Sequence, residues 1–85
     1  MLTAKEAYEI AVSNLRKGNV IREMAETKDY FLFGQAQSKT KQIMDDSAFA
    51  INKITAKTCW VWIHPSSEWW SDWKHAKFHD IKQFE

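Results

Sequence analysis

Ser47-Ala48-Phe49-Ala50-Ile51-Asn52, then Lys53-Ile54-Thr55-Ala56-Lys57, then Thr58-Cys59-Trp60-Val61-Trp62-Ile63 is the stretch that decides the fold. The first run alternates small and large apolar residues, and the last is dense in aromatic and β-branched types that fit a pleated surface. Both read as strands, and the five residues between them are turn-sized. Ala56 stands where a glycine would adopt positive φ more easily, so turn strain or a longer loop is expected.

Upstream, Val20 to Glu26 shows partial alternation and Tyr30-Phe31-Leu32-Phe33 is again aromatic. With the polar Thr27-Lys28-Asp29 between them, these segments form an antiparallel hairpin. From Gln35 to Asp46 the chain turns polar, and a long connection is expected, of the kind that often carries binding surfaces. At the N-terminus, Thr3 and Glu6 have capping-box spacing. Ala4, Ala7, Tyr8, Ala11, Val12 and Leu15 then recur at helical intervals, predicting a helix over 4–17 that ends at a left-handed Gly18.

Downstream, Pro65 ends the last strand, because proline cannot donate to a ladder. Ser66 or Ser67 is placed to cap a helix over 67–77, and Phe78, Ile81 and Phe84 have spacing that suits a further helical turn. The expectation for residues 1–85 is one α+β domain. An N-terminal helix packs on a roughly four-stranded antiparallel meander, followed by a C-terminal helical segment.

Charge narrows the function classes. Twelve Lys and Arg face eleven Asp and Glu, a net charge of +1, and each third of the chain is itself nearly balanced. Nucleic-acid backbones and anionic membranes select clustered cations, so neither partner is expected. The uncharged stretches, Thr58 to Ser67 and Tyr30 to Ser38, fall far short of a membrane span. The N-terminus has no apolar core of a secretory signal, and the single cysteine forms no internal disulfide, so a cytoplasmic location is expected.

The chemistry-bearing residues form no catalytic pattern. His75 and His79 would share a helix face as two zinc ligands do, with His64, Cys59 or Asp72 to complete a set, but solvated surface histidines explain the spacing equally well. Cys59 with His64 has the composition of a thiol nucleophile and base, yet a strand cysteine is expected to point into the core as a small hydrophobe. Asp45-Asp46 reads as a solvated pair, and Gly18 and Gly34 are too far apart to cradle phosphate. No enzyme, metal or cofactor is expected.

What stands out is tryptophan: five residues, all between Trp60 and Trp73, in a chain of 85. Strand alternation separates Trp60 and Trp62 from Cys59, Val61 and Ile63. Helical spacing places Trp69 and Trp73 on one side and Trp70 on another. A small core takes two or three such rings, and the remainder, Trp70 among them, forms a surface for a partner. Trp60, Trp62, Trp69, Trp70 and Trp73 are thus the candidate contacts with another protein or, as a homodimer, with a second copy. Removing Trp69 and Trp70 together is expected to leave stability within roughly 1 kcal/mol if both are exposed. The alternative is a Trp-lined pocket for a small molecule or peptide.

The opening Glu6-Ala7-Tyr8-Glu9-Ile10-Ala11, the aromatic Tyr30-Phe31-Leu32-Phe33 and the order helix, hairpin, polar loop and two further strands resemble the bacterial YrhB-like immunity-protein family. The likeness covers residues 4–63. Asn52-Lys53-Ile54-Thr55-Ala56-Lys57 also resembles the strand-linking turn of PepSY-type domains, with Asn52 for its Asp and Ala56 for its Gly. The first resemblance implies a cytoplasmic protein that binds and neutralises a toxin.

Overall fold

The computed structural model describes residues 1–15, 17–37 and 47–85. Helix α1 (Ala4–Ser13) is followed by strands β1 (Asn19–Glu26), β2 (Tyr30–Gln37), β3 (Ser47–Asn52) and β4 (Thr58–Trp62), a short helix α2 (Trp70–Lys74), strand β5 (Lys77–His79) and a 3₁₀ turn at Ile81–Phe84. The fold is α+β with an antiparallel sheet of order β4-β3-β2-β1-β5. The expected four-stranded meander is β1–β4, and the sheet gains a fifth strand beside β1. The fifth comes from the tail: Phe78 pairs with Ala25 and His79 with Met24 on β1, so Lys77–His79 follows a two-residue period instead of extending a helix.

Both faces of the sheet are covered, by opposite arrangements of large and small side chains. On one face Met24, Phe31, Phe33, Phe49 and Ile51 meet Ala7 and Ala11 of α1, with Tyr8, Ile81 and Phe84 closing the margin. Tyr8 and Phe84 stack at 5.3 Å. On the other face the sheet offers Ala25, Ala48 and Ala50 with Leu32 and Val61, and the large rings come from the crossing segment as Trp69 and Trp73. That segment joins β4 and β5, which lie at opposite edges of the sheet. It must therefore run across the sheet, and its tryptophans fill the space left by the alanines.

Helix α1 starts as its sequence dictates. Thr3 Oγ1 accepts from Glu6 N–H at 3.2 Å, and Glu6 Oε1 accepts from Thr3 N–H at 3.0 Å. It ends at Ser13, four residues before the expected end. Ser13 Oγ and Asn14 Nδ2 both donate to the Ile10 carbonyl at 2.8 Å, so polar side chains engage the carbonyl that the next helical turn would use. Gly18 has the expected positive φ of 86°, but in the turn into β1. Val12, read as part of the apolar stripe, is 43% exposed, because the buried stripe centres on Ala7 and Ala11.

The expected connection from Gln35 begins later than its composition implies. Gln35 and Gln37 are paired in β2, and Gln35 is buried, its Oε1 accepting from Asn19 Nδ2 at 3.0 Å. The remainder of that expectation, residues 38–46, lies outside the described residues. The turn from β3 to β4 is strained at the expected place: Ala56 has φ 61° while its N–H donates to the Asn52 carbonyl at 2.9 Å. A left-handed alanine costs about 1–2 kcal/mol, and glycine returns part of the gain through its unfolded-state freedom. Ala56→Gly is expected to raise the unfolding free energy by about 0.5–1 kcal/mol in urea titration.

The expected helix over 67–77 contracts to α2. Residues 64–69 form tight turns: Ser67 N–H donates to the His64 carbonyl at 2.8 Å, and Ser67 Oγ accepts from Trp69 N–H at 2.9 Å. The N-cap of α2 is Trp69, with no side-chain cap hydrogen bond, so Ser67, read as a cap, instead fixes the entry turn and also donates to the Trp62 carbonyl.

Candidate functional site

The tryptophan cluster divides between the two faces. Trp60 lies opposite Phe49 in the β3–β4 pairing, which puts Trp60 and Trp62 on the α1 face, at the outer strand. They are 46% and 52% exposed. Both rings are nevertheless braced. The Trp60 indole meets the Phe49 ring edge-on at 5.2 Å, and Trp62 stacks on the His64 imidazole at 4.4 Å with the planes 5° apart. His64 is itself fixed, its Nδ1 accepting from Ser66 N–H at 3.1 Å.

The other three tryptophans belong to the crossing segment. Trp69 and Trp73 pack on the alanine-rich face, Trp69 edge-on to Tyr30 at 4.9 Å and Trp73 edge-on to Phe78 at 5.1 Å. Trp70 is half-buried and, with Trp73 and Phe78, walls a cavity of about 330 Å³. Trp69 therefore is not the exposed residue envisaged beside Trp70. It packs on the cluster of Leu32 and the sheet alanines, so removing Trp69 and Trp70 together is expected to cost stability.

Cys59 also departs from expectation. It is exposed, because the alternation that buries Val61 places Cys59 near the end of the outermost strand, beyond the reach of the crossing segment. It forms no nucleophile–base pair with His64, which is engaged with Trp62 and Ser66. His75 and His79 do not share a helix face: His75 caps the end of α2 and His79 lies in β5. Among the described residues no three His, Cys, Asp or Glu side chains are grouped to hold a metal ion.

One polar cluster was not read from the sequence. Glu26 bridges Lys53 and His79, with Oε2 at 2.6 Å from Lys53 Nζ and Oε1 at 2.7 Å from His79 Nε2. Lys53 is buried, and its ammonium lies 5.1 Å from the centre of the Phe31 ring. The Lys53 hydrogen bond holds the Glu26 carboxyl below the usual glutamate range, against the opposing pull of burial, and His79 adds to the lowering. The Lys53 backbone is equally committed, donating to Asp29 at 3.0 Å and accepting from Leu2 N–H at 2.8 Å. With both Glu26 oxygens engaged, by Lys53 Nζ and His79 Nε2, the cluster ties together the ends of β1, β3 and β5.

No protein-family model, curated protein or solved structure matches the chain. Among the described residues no helix is long and apolar enough to cross a membrane.

Proposed function

We propose that this chain is a non-catalytic protein-binding domain whose contact surface is the face of β4 carrying Trp60 and Trp62. The observation that carries the reading is that both indoles are braced yet about half exposed. An indole that only fills a core is covered, and one that merely hangs from the surface has no ring packed against it. Bracing reduces the side-chain entropy lost on association, and tryptophan is the residue type most enriched where binding energy concentrates. The YrhB-like resemblance supplies the partner class: a toxin bound and neutralised in the cytoplasm. A second copy of the chain is the other protein occupant, and sedimentation of the purified chain separates the two.

The test is capture from a lysate of the native cell by immobilised protein, with the Trp60→Ala, Trp62→Ala double variant beside it. The expected result is one protein, retained near stoichiometrically by the native chain and about 100-fold more weakly by the variant, in keeping with the loss of two hot-spot residues. Equal retention of the same protein by both would remove this surface from the account.

A further inference from the structure

The opposite face of the sheet carries a cavity whose lining does not include Trp60 or Trp62. Between Ile21 and Glu23 the β1–β2 pairing slips by one residue, and such a bulge re-aims side chains. Ile21 and Met24 point into the α1-side core, while Arg22 and Glu23 both line the cavity beneath Trp70, Trp73 and Phe78. Strict alternation would have sent only one of them there.

The partner strand makes room for the pair. Glu23 lies opposite Gly34, and a Cβ at that position would stand 3.1 Å from Glu23 Cγ and Oε1 and 3.3 Å from Arg22 Nη2. The two charged heads therefore occupy the space that any other residue's side chain would fill. Arg22 and Glu23 are ion-paired through one nitrogen and one oxygen. Glu23 Oε2 and most of the guanidinium N–H groups are directed to no other described residue, and a guanidinium carries five donors. The cavity, about 330 Å³, falls in the size range of small-ligand sites.

We propose that this cavity binds a free α-amino acid with an aromatic or large apolar side chain. An anion alone would be drawn to Arg22 but repelled by the adjoining Glu23, and an amine alone would meet the reverse. A carboxylate and an ammonium on one carbon satisfy both, closing a square of alternating charges over Gly34. The side chain then lies against Trp70, Trp73 and Phe78, whose rings also favour the ammonium.

The test is titration of the ¹⁵N-labelled chain with L-phenylalanine, L-phenylalaninamide and N-acetyl-L-phenylalanine, followed at the indole N–H signals. The two derivatives each keep one charge of the pair. The expected result is saturable shifts at Trp70 and Trp73 with L-phenylalanine, while Trp60 and Trp62 stay still. Each derivative should bind at least 10-fold more weakly. Arg22→Gln, at a partly exposed position, should weaken L-phenylalanine at least 10-fold with melting unchanged. Equal affinity for all three compounds, unaltered binding by Arg22→Gln, or no saturation by about 10 mM, weaker than the millimolar affinity of a minimal site, would overturn the proposal. Selective binding of the N-acetyl compound alone would replace it with a site for a peptide carboxyl terminus.

Discussion

Replacing Glu26 by glutamine is expected to lower the unfolding free energy by about 2–3 kcal/mol, read from urea titration at neutral pH. The loss arises less from a missing attraction than from what remains behind. Lys53 is only 8% exposed, and without the carboxylate its ammonium is held against the Phe31 ring with a neutral amide in place of its counter-ion. Breaking a fully buried pair costs about 3–5 kcal/mol. The Glu26 side chain is 29% exposed, which places the effect below that range. Lys53→Met in the Glu26→Gln background should recover part of the loss, since it removes the stranded charge.

The pH dependence has a defined sign. The folded state holds Glu26 below its ordinary titration range, so the folded protein binds fewer protons there than the unfolded chain. The Glu26 contribution is complete above the unfolded glutamate range and fades as pH falls through the lower folded value. The native chain and Glu26→Gln should accordingly differ fully at neutral pH and converge in acid. A constant difference down to the lowest pH would show that the carboxylate charge is not what Glu26 contributes.

Trp69→Ala is expected to cost about 2–4 kcal/mol, less than a fully buried tryptophan because the ring is half-covered, but well beyond a surface change. It removes a large ring from a sheet face built of Ala25, Ala48 and Ala50 with Leu32. It also breaks the edge-on contact with Tyr30, and such aromatic pairs add about 0.5–1.5 kcal/mol beyond area burial. Trp69→Phe should retain about half of the stability lost by Trp69→Ala, because it preserves a ring at the sheet surface.

Much of the architecture was legible because it rests on local rules. The capping box at Thr3 and Glu6, the apolar alternation of Ser47–Asn52 and the polar turn at Thr27–Asp29 each act within a few residues, and each appears where its pattern placed it. The positive φ of Ala56 belongs to the same class. What the chain concealed was non-local. Lys77-Phe78-His79 becomes a strand only because β1 offers it an edge, and three residues carry too little period to announce that. The packing of Trp69 and Trp73 depends on alanines between 19 and 48 positions upstream. The Glu26–Lys53–His79 cluster joins residues up to 53 apart, and nothing in the spacing of a Glu, a Lys and a His foretells it. Trp60 and Trp62 were correctly grouped on one face by alternation, but which face stayed half open was decided by the reach of α1 and of the crossing segment.

The division of the tryptophans into a structural and an offered set is the central claim, and paired urea titrations of Trp60→Ala, Trp62→Ala and of Trp69→Ala, Trp73→Ala test it most directly. For the first double variant the expected loss is about 1–2 kcal/mol, the worth of its ring contacts with Phe49 and His64. For the second it is about 4 kcal/mol or more, enough to abolish cooperative unfolding in a domain whose total stability is of order 4–13 kcal/mol. Equal losses from the two pairs, or a larger loss from Trp60 and Trp62, would contradict the account.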